Sequence, residues 1–287
     1  MPEHLLQILQ VLLLGVVQGA AELLPVSSSA HVIVVEKLLG LDPSSPEWTF
    51  ILVMLHTGTM FAVIVYFWNA WRQSYFSSSA AFIKILGQVV LATVCTALVG
   101  GALIVIIEKI FLKGADVETL FSQLPLLAIA LLITGFLIIL SGFREPGPGQ
   151  GNDVSYRTAS LVGAVQGVCL PFRGLSRSGT TISTGLLAGI GRMRMEVFSF
   201  ALAVVLTPPV IARELWRLVK THPEATKLSS LVPMALPGII GLVASFVAGL
   251  LALRLLSRWL ETGRWRFFGV YCLAVAVFVF ALAAFGF

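Results

Sequence analysis

Gly15-Val-Val-Gln18-Gly-Ala-Ala-Glu22-Leu-Leu-Pro25-Val-Ser27-Ser28-Ser29-Ala-His31-Val-Ile-Val34 begins as one apolar helix and ends as another, with polar and ionisable residues between them. Gln18 and Glu22 are four apart, so a helix projects both from one face. Pro25 ends that helix, because it has no amide hydrogen and biases Leu24 away from helical geometry. Ser27, Ser28 and Ser29 are then N-cap candidates for a helix starting near Ala30. An acid and an imidazole between such apolar flanks lie in or near hydrocarbon, where ionisable groups cost several kcal/mol and mark function. The stretch is therefore a broken helix whose free amide ends point toward whatever Glu22 and His31 face.

The whole chain has the same character. Of its 287 residues 57% are hydrophobic and 11% charged, against roughly 25% charged in a soluble domain, and its mean hydropathy is +0.96. This is an all-α polytopic membrane protein. The apolar run from Leu5 to Leu14 is read as part of that fold and not as a cleaved signal, since Glu3 and His4 supply no positive leader. The three cysteines, Cys95, Cys169 and Cys272, sit apart in apolar runs and suggest neither disulfides nor a metal site. The net charge of +5 suits loops beside an anionic leaflet, and no basic cluster interleaved with aromatics suggests nucleic acid.

Stretches long enough to cross hydrocarbon, about 20 residues, are 49–69, 81–108, 124–142, 195–219, 231–257 and 266–287, six in all. Two others, 5–40 and 157–191, are apolar at both ends and broken in the middle. Each reads as a re-entrant pair of half-helices, which is tolerated where irregular backbone is buried in protein or lines a wet cavity. Trp48, Trp68, Trp71, Trp216, Trp259 and Trp265 fall near predicted ends, as an aromatic belt does.

The two breaks are alike. Gly15-Val-Val-Gln18-Gly19 recurs as Gly163-Ala-Val-Gln166-Gly167, and each copy leads through Pro25 or Pro171 to a serine-rich break. Each half then supplies three spans, an odd number, so residues 1–145 and 157–287 are expected to form inverted repeats joined by the Gly/Pro-rich loop 142–156. Loops near 70–84, 142–158, 192–196 and 254–266 share one side and carry ten Lys and Arg: Arg72, Lys84, Arg144, Arg157, Arg192, Arg194, Arg254, Arg258, Arg264 and Arg266. The side holding both termini has seven: Lys37, Lys109, Lys113, Arg213, Arg217, Lys220 and Lys227. That bias puts both termini outside.

The second break, Leu170-Pro-Phe-Arg173-Gly174-Leu-Ser176-Arg177-Ser178-Gly179-Thr180-Thr181-Ile-Ser183, holds the parts of a phosphate site. Gly174 and Gly179 admit close backbone approach. Ser176, Ser178, Thr180 and Thr181 offer hydroxyls, and a helix resuming at about Thr181 presents its positive end to an anion. Arg177 supplies a planar fork for phosphate oxygens and Arg173 a second fixed charge. Glu22, Ser28 and His31 add a carboxylate for metal or proton work, a hydroxyl and an imidazole. Duller readings exist. Gln18 and Glu22 could clamp two helices, Arg177 could pair with Glu22, and Arg173 could serve only as a carboxylate's partner. His56 reads first as a packing group and second as a residue lining the site, His4 and His222 as solvated, and Gly87, Gly100 and Gly101 as helix contacts.

At these residues the chain resembles the undecaprenyl-diphosphate phosphatases of the bacitracin-resistance type. Two separated motifs carry the resemblance: (Glu/Gln)-x-x-x-Glu, then Pro-Val-Ser-Ser and a His, here Gln18 to His31; and Pro-Gly-x-Ser-Arg-Ser-x-x-Thr, here Arg173 to Thr181. The resemblance implies removal of one phosphate from the C55 isoprenoid diphosphate carrier, with a divalent cation, Mg²⁺ or Ca²⁺. It implies a bacterial inner membrane and a site open to the outer face. It carries roles to Glu22, Ser28, His31, Ser176, Arg177, Ser178 and Thr181, to which the phosphate-site reading adds Gly179 and Arg173. Glu22 with Gln18 beside it is the expected cation site. Ser28 or His31 attacks the terminal phosphorus, or His31 activates Ser28 or a water; the preferred version is Ser28 with His31 as its base. The chain departs from the family pattern in Gln18, where many members have Glu, in Arg173 where they have Pro, and in one extra residue before Ser176. Expected partners are the polyprenyl diphosphate and membrane lipids, with a homodimer left open. The rival class is a transporter or flippase of an isoprenoid phosphate or another anion.

Overall fold

A computed structural model describes residues 3–42, 45–120, 123–144, 153–226 and 228–285, and among these every regular element is helical. The helices are α1 (Glu3–Leu23), α2 (Ser28–Leu39), α3 (Pro46–Ser74), α4 (Ser79–Ile106), α5 (Leu124–Gly142), α6 (Tyr156–Val168), α7 (Arg177–Leu187), α8 (Arg192–Thr221), α9 (Leu228–Glu261) and α10 (Trp265–Ala284). Serines start several of them. Ser27, Ser45, Ser78, Ser155 and Ser176 each accept a hydrogen bond from the amide three residues on, which satisfies one of the orphan donors of a first turn.

Among the described residues seven helices are long and apolar enough to cross a membrane, one more than the six read from the sequence. The added one is α1: its 21 residues rise about 32 Å at 1.5 Å each, because nothing interrupts the apolar run before Pro25. By contrast α2, α6 and α7 have 12, 13 and 11 residues, about 20 Å or less, too short to cross about 30 Å of hydrocarbon. Large side chains such as Leu98, Ile83, Val277 and Phe136 are more than 60% exposed, as befits an integral membrane protein whose outer face meets lipid and not water.

Small residues set the helix contacts. A Cβ on Gly19 would lie 2.4 Å from the Ser245 carbonyl oxygen of α9, and one on Gly163 2.2 Å from the Ala92 carbonyl oxygen of α4. The repeated Gly-x-x-x-Gly is thus a pair of helix seams: α1 lies backbone to backbone on α9, and α6 does the same on α4. Gly135 of α5 and Gly269 of α10 meet reciprocally, a Cβ on each falling within 2.9 Å of the other's carbonyl oxygen.

Asp153 pairs with Lys84 at 3.0 Å and also with Arg194, and Arg144 donates to the Leu187 carbonyl at 2.6 Å. The loops before α4, α6 and α8 therefore gather at one end of the bundle. Most of the expected connecting loop, 145–152, lies outside the described residues.

Gly163→Ala puts a methyl against backbone that cannot retreat, and overpacking of this kind costs about 1–3 kcal/mol. The variant is expected to melt several degrees below wild type in detergent. Gly101→Ala, whose Cβ would meet nothing within 4 Å, leaves the melting temperature unchanged.

Candidate active site

The chain leaves α1 at Leu23 and turns through Pro25. Ser27 holds φ at 68°, in the left-handed region where a residue with a side chain is strained by about 1–3 kcal/mol. Three contacts hold it there. Its hydroxyl caps the Ala30 amide at 3.4 Å and meets the Ser29 hydroxyl at 3.2 Å, and its carbonyl accepts from His31 Nδ1 at 2.8 Å. This turn fixes Ser28 as the first residue of α2, where its hydroxyl donates to Glu22 Oε2.

The second break resumes earlier than the sequence suggests. α7 begins at Arg177 and not near Thr181, because the Ser176 hydroxyl caps the Gly179 amide at 3.1 Å and starts the helix there. Gly174 holds φ at 103°, and a Cβ on it would lie 2.5 Å from the Leu127 carbonyl oxygen, so this position of the Arg173-Gly174 pair admits glycine alone. Ser176 N donates to Thr134 Oγ1 of α5 at 3.1 Å.

The two breaks are joined directly. Gly174 N donates to Ser29 Oγ at 3.2 Å, Ser178 Oγ donates to the Leu24 carbonyl at 3.3 Å, and Arg177 Nη2 reaches Glu22 Oε1 at 3.3 Å. Glu22 also accepts from Gln18 Nε2 at 3.4 Å. Arg177 is not used up by this pair: its Nη1 is buried without a hydrogen-bond partner. A buried guanidinium nitrogen lacking an acceptor is costly unless something supplies one, and an anion in the adjoining space would.

That space is a cavity of about 210 Å³ lined by Glu22, Ser28, Ser176, Arg177, Ser178 and His56, with Gln166 and Cys169 of the α6 end and Ala203 to Val210 of α8 around them. Residues 203–210 lie midway along α8. A second cavity of about 600 Å³ adjoins it and shares Ser28, Ser29, His56 and Val210. It is lined in addition by Gln18, Glu36, Lys37, Arg173, Glu214 and Arg217.

Of the residues singled out in the sequence, Glu22, Ser28, Ser176, Arg177 and Ser178 meet around the smaller cavity, while Gln18 and Arg173 face the larger. Gly179 packs against Ile138, and its amide is spent on Ser176. Thr181 is fully buried, donating to the Arg177 carbonyl at 2.8 Å and sharing a hydrogen bond with Ser199 at 2.7 Å, so it supports the turn and does not line the cavity. His31 also lines neither cavity: its Nε2 bonds to Tyr271 OH of α10 at 2.8 Å. His56, read from the sequence first as a packing group, lines both. Gln166, the counterpart of Gln18, donates to Thr96 Oγ1 at 3.0 Å and keeps a buried, unpartnered Oε1.

The profile of the family described as bacitracin resistance protein BacA matches residues 11–278. Undecaprenyl-diphosphatase 2 of Acinetobacter baylyi is 53% identical over 285 residues, 98% of this chain and 99% of its own. The undecaprenyl-diphosphatases of Desulfosudis oleivorans and Halothermothrix orenii are 32% and 30% identical, covering 92% and 97% of this chain and 94% and 99% of theirs.

An anion that satisfies Arg177 Nη1 binds the folded state only. Orthovanadate at ten times its dissociation constant is expected to stabilise the protein by about 1.4 kcal/mol, read as a raised melting temperature that Arg177→Ala abolishes.

Proposed function

The chain belongs to the bacitracin resistance protein BacA family, and on that premise we propose that it is an integral membrane phosphatase hydrolysing undecaprenyl diphosphate to undecaprenyl phosphate and inorganic phosphate. The product returns the lipid carrier to cell-wall synthesis, and its recycling gives resistance to bacitracin. The observation that carries the reading at residue level is the meeting of Ser28, Glu22 and the half-satisfied Arg177 in one cavity.

The chemistry follows from the contacts. Ser28 Oγ attacks the terminal phosphorus while Glu22 Oε2, already its acceptor, takes the proton. Glu22 replaces His31 as the base, since both nitrogens of His31 are engaged elsewhere. His31 instead positions the nucleophile by holding the Ser27 carbonyl in its strained turn. Arg177 Nη1 and the free amides at the start of α7 hold the phosphoryl oxygens, because phosphoryl transfer depends mostly on positioning and charge stabilisation, while the Ser178 hydroxyl holds the Leu24 carbonyl of the first break. The leaving lipid phosphate is a stable anion and needs no proton. The larger cavity holds the lipid-side phosphate, with Arg173 and Arg217 at its wall.

A divalent cation fits this donor set in one way. Among the described residues no three His, Cys, Asp or Glu come together. One carboxylate with neighbouring oxygens suits Mg²⁺, which keeps waters and takes substrate phosphate oxygens. Glu22, with the Gln18 amide beside it, would hold the cation, which when bound neutralises charge on the diphosphate.

The arrangement we infer is two inverted repeats, with six crossings and two re-entrant hairpins, α1–α2 and α6–α7. The exchanged seams of α1 on α9 and α6 on α4 support it, as does the reciprocal meeting of α5 with α10. Glu214, Arg217 and Thr221, near the end of α8 remote from the Asp153 cluster, line the larger cavity. This supports a mouth on the face bearing the termini, the outer one by the Lys and Arg bias.

Purified protein in detergent is expected to release phosphate from undecaprenyl diphosphate with Mg²⁺ or Ca²⁺ and to stop under excess chelator. Arg177→Ala lowers kcat by about 10³-fold, roughly 4 kcal/mol of transition-state stabilisation. A well-folded protein that releases no phosphate but moves the lipid across vesicles would make the same cavity a carrier's anion site.

A further inference from the structure

Two histidines of this chain use the same local bond and differ in what remains. His31 Nδ1 bonds to the Ser27 carbonyl at 2.8 Å and His56 Nδ1 to the Leu52 carbonyl at 2.9 Å, each four residues back. A carbonyl only accepts, so in both rings Nδ1 carries the hydrogen, and a neutral ring must then present Nε2 as a bare acceptor. In His31 that acceptor is occupied by Tyr271 OH. In His56 it has no hydrogen-bond partner among the described residues, and the residue lines both cavities together with Ser28.

The backbone that carries His56 is held firmly. Ser245 Oγ of α9 donates to the Leu55 carbonyl at 2.9 Å, and a Cβ on Gly58 would lie 2.2 Å from Ser245 Oγ, so α3 and α9 touch on either side of the histidine. Glu22, meanwhile, accepts from Ser28, Gln18 and Arg177 and serves the first step. Among the described histidines, His56 is the one whose residue borders the nucleophile's cavity.

We propose that His56 is a catalytic base of the second half of the reaction, its Nε2 accepting a proton from the water that frees phosphate from Ser28. The inference rests on the reading of Ser28 as nucleophile. Water oxygen bonds to the phosphorus of phosphoserine while the bond from phosphorus to Ser28 Oγ breaks. The water's proton goes to His56 Nε2 and from there to the departing phosphate or solvent. The proton that Glu22 took in the first step returns to Ser28 Oγ, and the site is regenerated. Fixing the ring through Leu52 makes it an acceptor before substrate arrives, with no reorientation needed.

The experiment follows phosphate from undecaprenyl diphosphate labelled on its terminal phosphate, using purified wild type, His56→Gln, His56→Asn and Ser28→Ala in detergent. Loss of a general base from the second step lowers kcat by about 10²-fold or more, and KM falls with it while kcat/KM changes little, because breakdown of the intermediate becomes limiting. Label is expected to accumulate on the His56 variants as alkali-labile phosphoserine, and added imidazole to release it. His56 variants with normal kcat, or slow His56 variants that never accumulate label while Ser28→Ala is inactive, would overturn the proposal. If Ser28→Ala instead keeps full activity, the nucleophile reading itself has failed. A merely structural histidine would lower melting temperature and the vanadate shift without trapping label.

Discussion

Inside a hydrocarbon layer, the amides and carbonyls released by a broken helix have no water to turn to, and each one left alone costs several kcal/mol. Two breaks that meet can satisfy one another, and these do. The Leu24 carbonyl accepts from Ser178, the Gly174 amide donates to Ser29, and the Pro25 carbonyl accepts from the Cys272 thiol at 3.4 Å. Ser176 N finds Thr134 on α5. The serines and threonines of the motifs are therefore first a solution to backbone accounting. The cavity is what lies between helix ends that must approach but cannot interpenetrate.

Charge fits this frame. Glu22 and Arg177 meet through one 3.3 Å contact, each side chain about a fifth exposed. This is not a bidentate clamp, and single, partly solvated pairs contribute about 1 kcal/mol or less. A weak pair suits a site that must rearrange. It keeps both charges from being stranded, yet a phosphate bearing two or more charges can draw the guanidinium toward itself and leave the carboxylate to Ser28. A tight, fully satisfied pair would hold Arg177 back from the substrate. The orphaned Nη1 marks the difference.

Local chemistry made much of this legible in the sequence, and distance hid the rest. The stop at Leu23, the Ser27 cap and the seams at Gly15, Gly19, Gly163 and Gly167 all depend on residues within a few positions of each other, and all could be read as a break and a repeat. The roles of His31 and His56 could not. Both make the same backbone bond four residues back, and what separates them is Tyr271, 240 positions from His31. The start of α7 was misjudged because Ser176, Ser178, Thr180 and Thr181 are all competent caps. Packing against Thr134 and Ser199 chose among them. Likewise the length of α1 depended on where apolar residues stop mattering, which the run from Leu5 to Leu14 does not mark.

Gln18 ties these threads together. Its counterpart Gln166 spends its amide on Thr96, within the seam between α6 and α4. Gln18 spends its own on Glu22, one turn farther along α1. The same residue at equivalent places is thus structural in one half and bound to Glu22, the base we propose, in the other. A neutral amide there has a definite consequence. It donates to the oxygen that Ser28 also uses, which orients the carboxylate, and it adds no second negative charge to repel an incoming diphosphate. With Arg177 balancing Glu22, the site is close to neutral before substrate binds, so the substrate's charge is met by Arg177 Nη1, helix amides and any cation that accompanies it. Orientation of Glu22 is then left to a hydrogen bond and not to mutual repulsion between two acids, which lets one carboxylate face the nucleophile on one side and the guanidinium on the other.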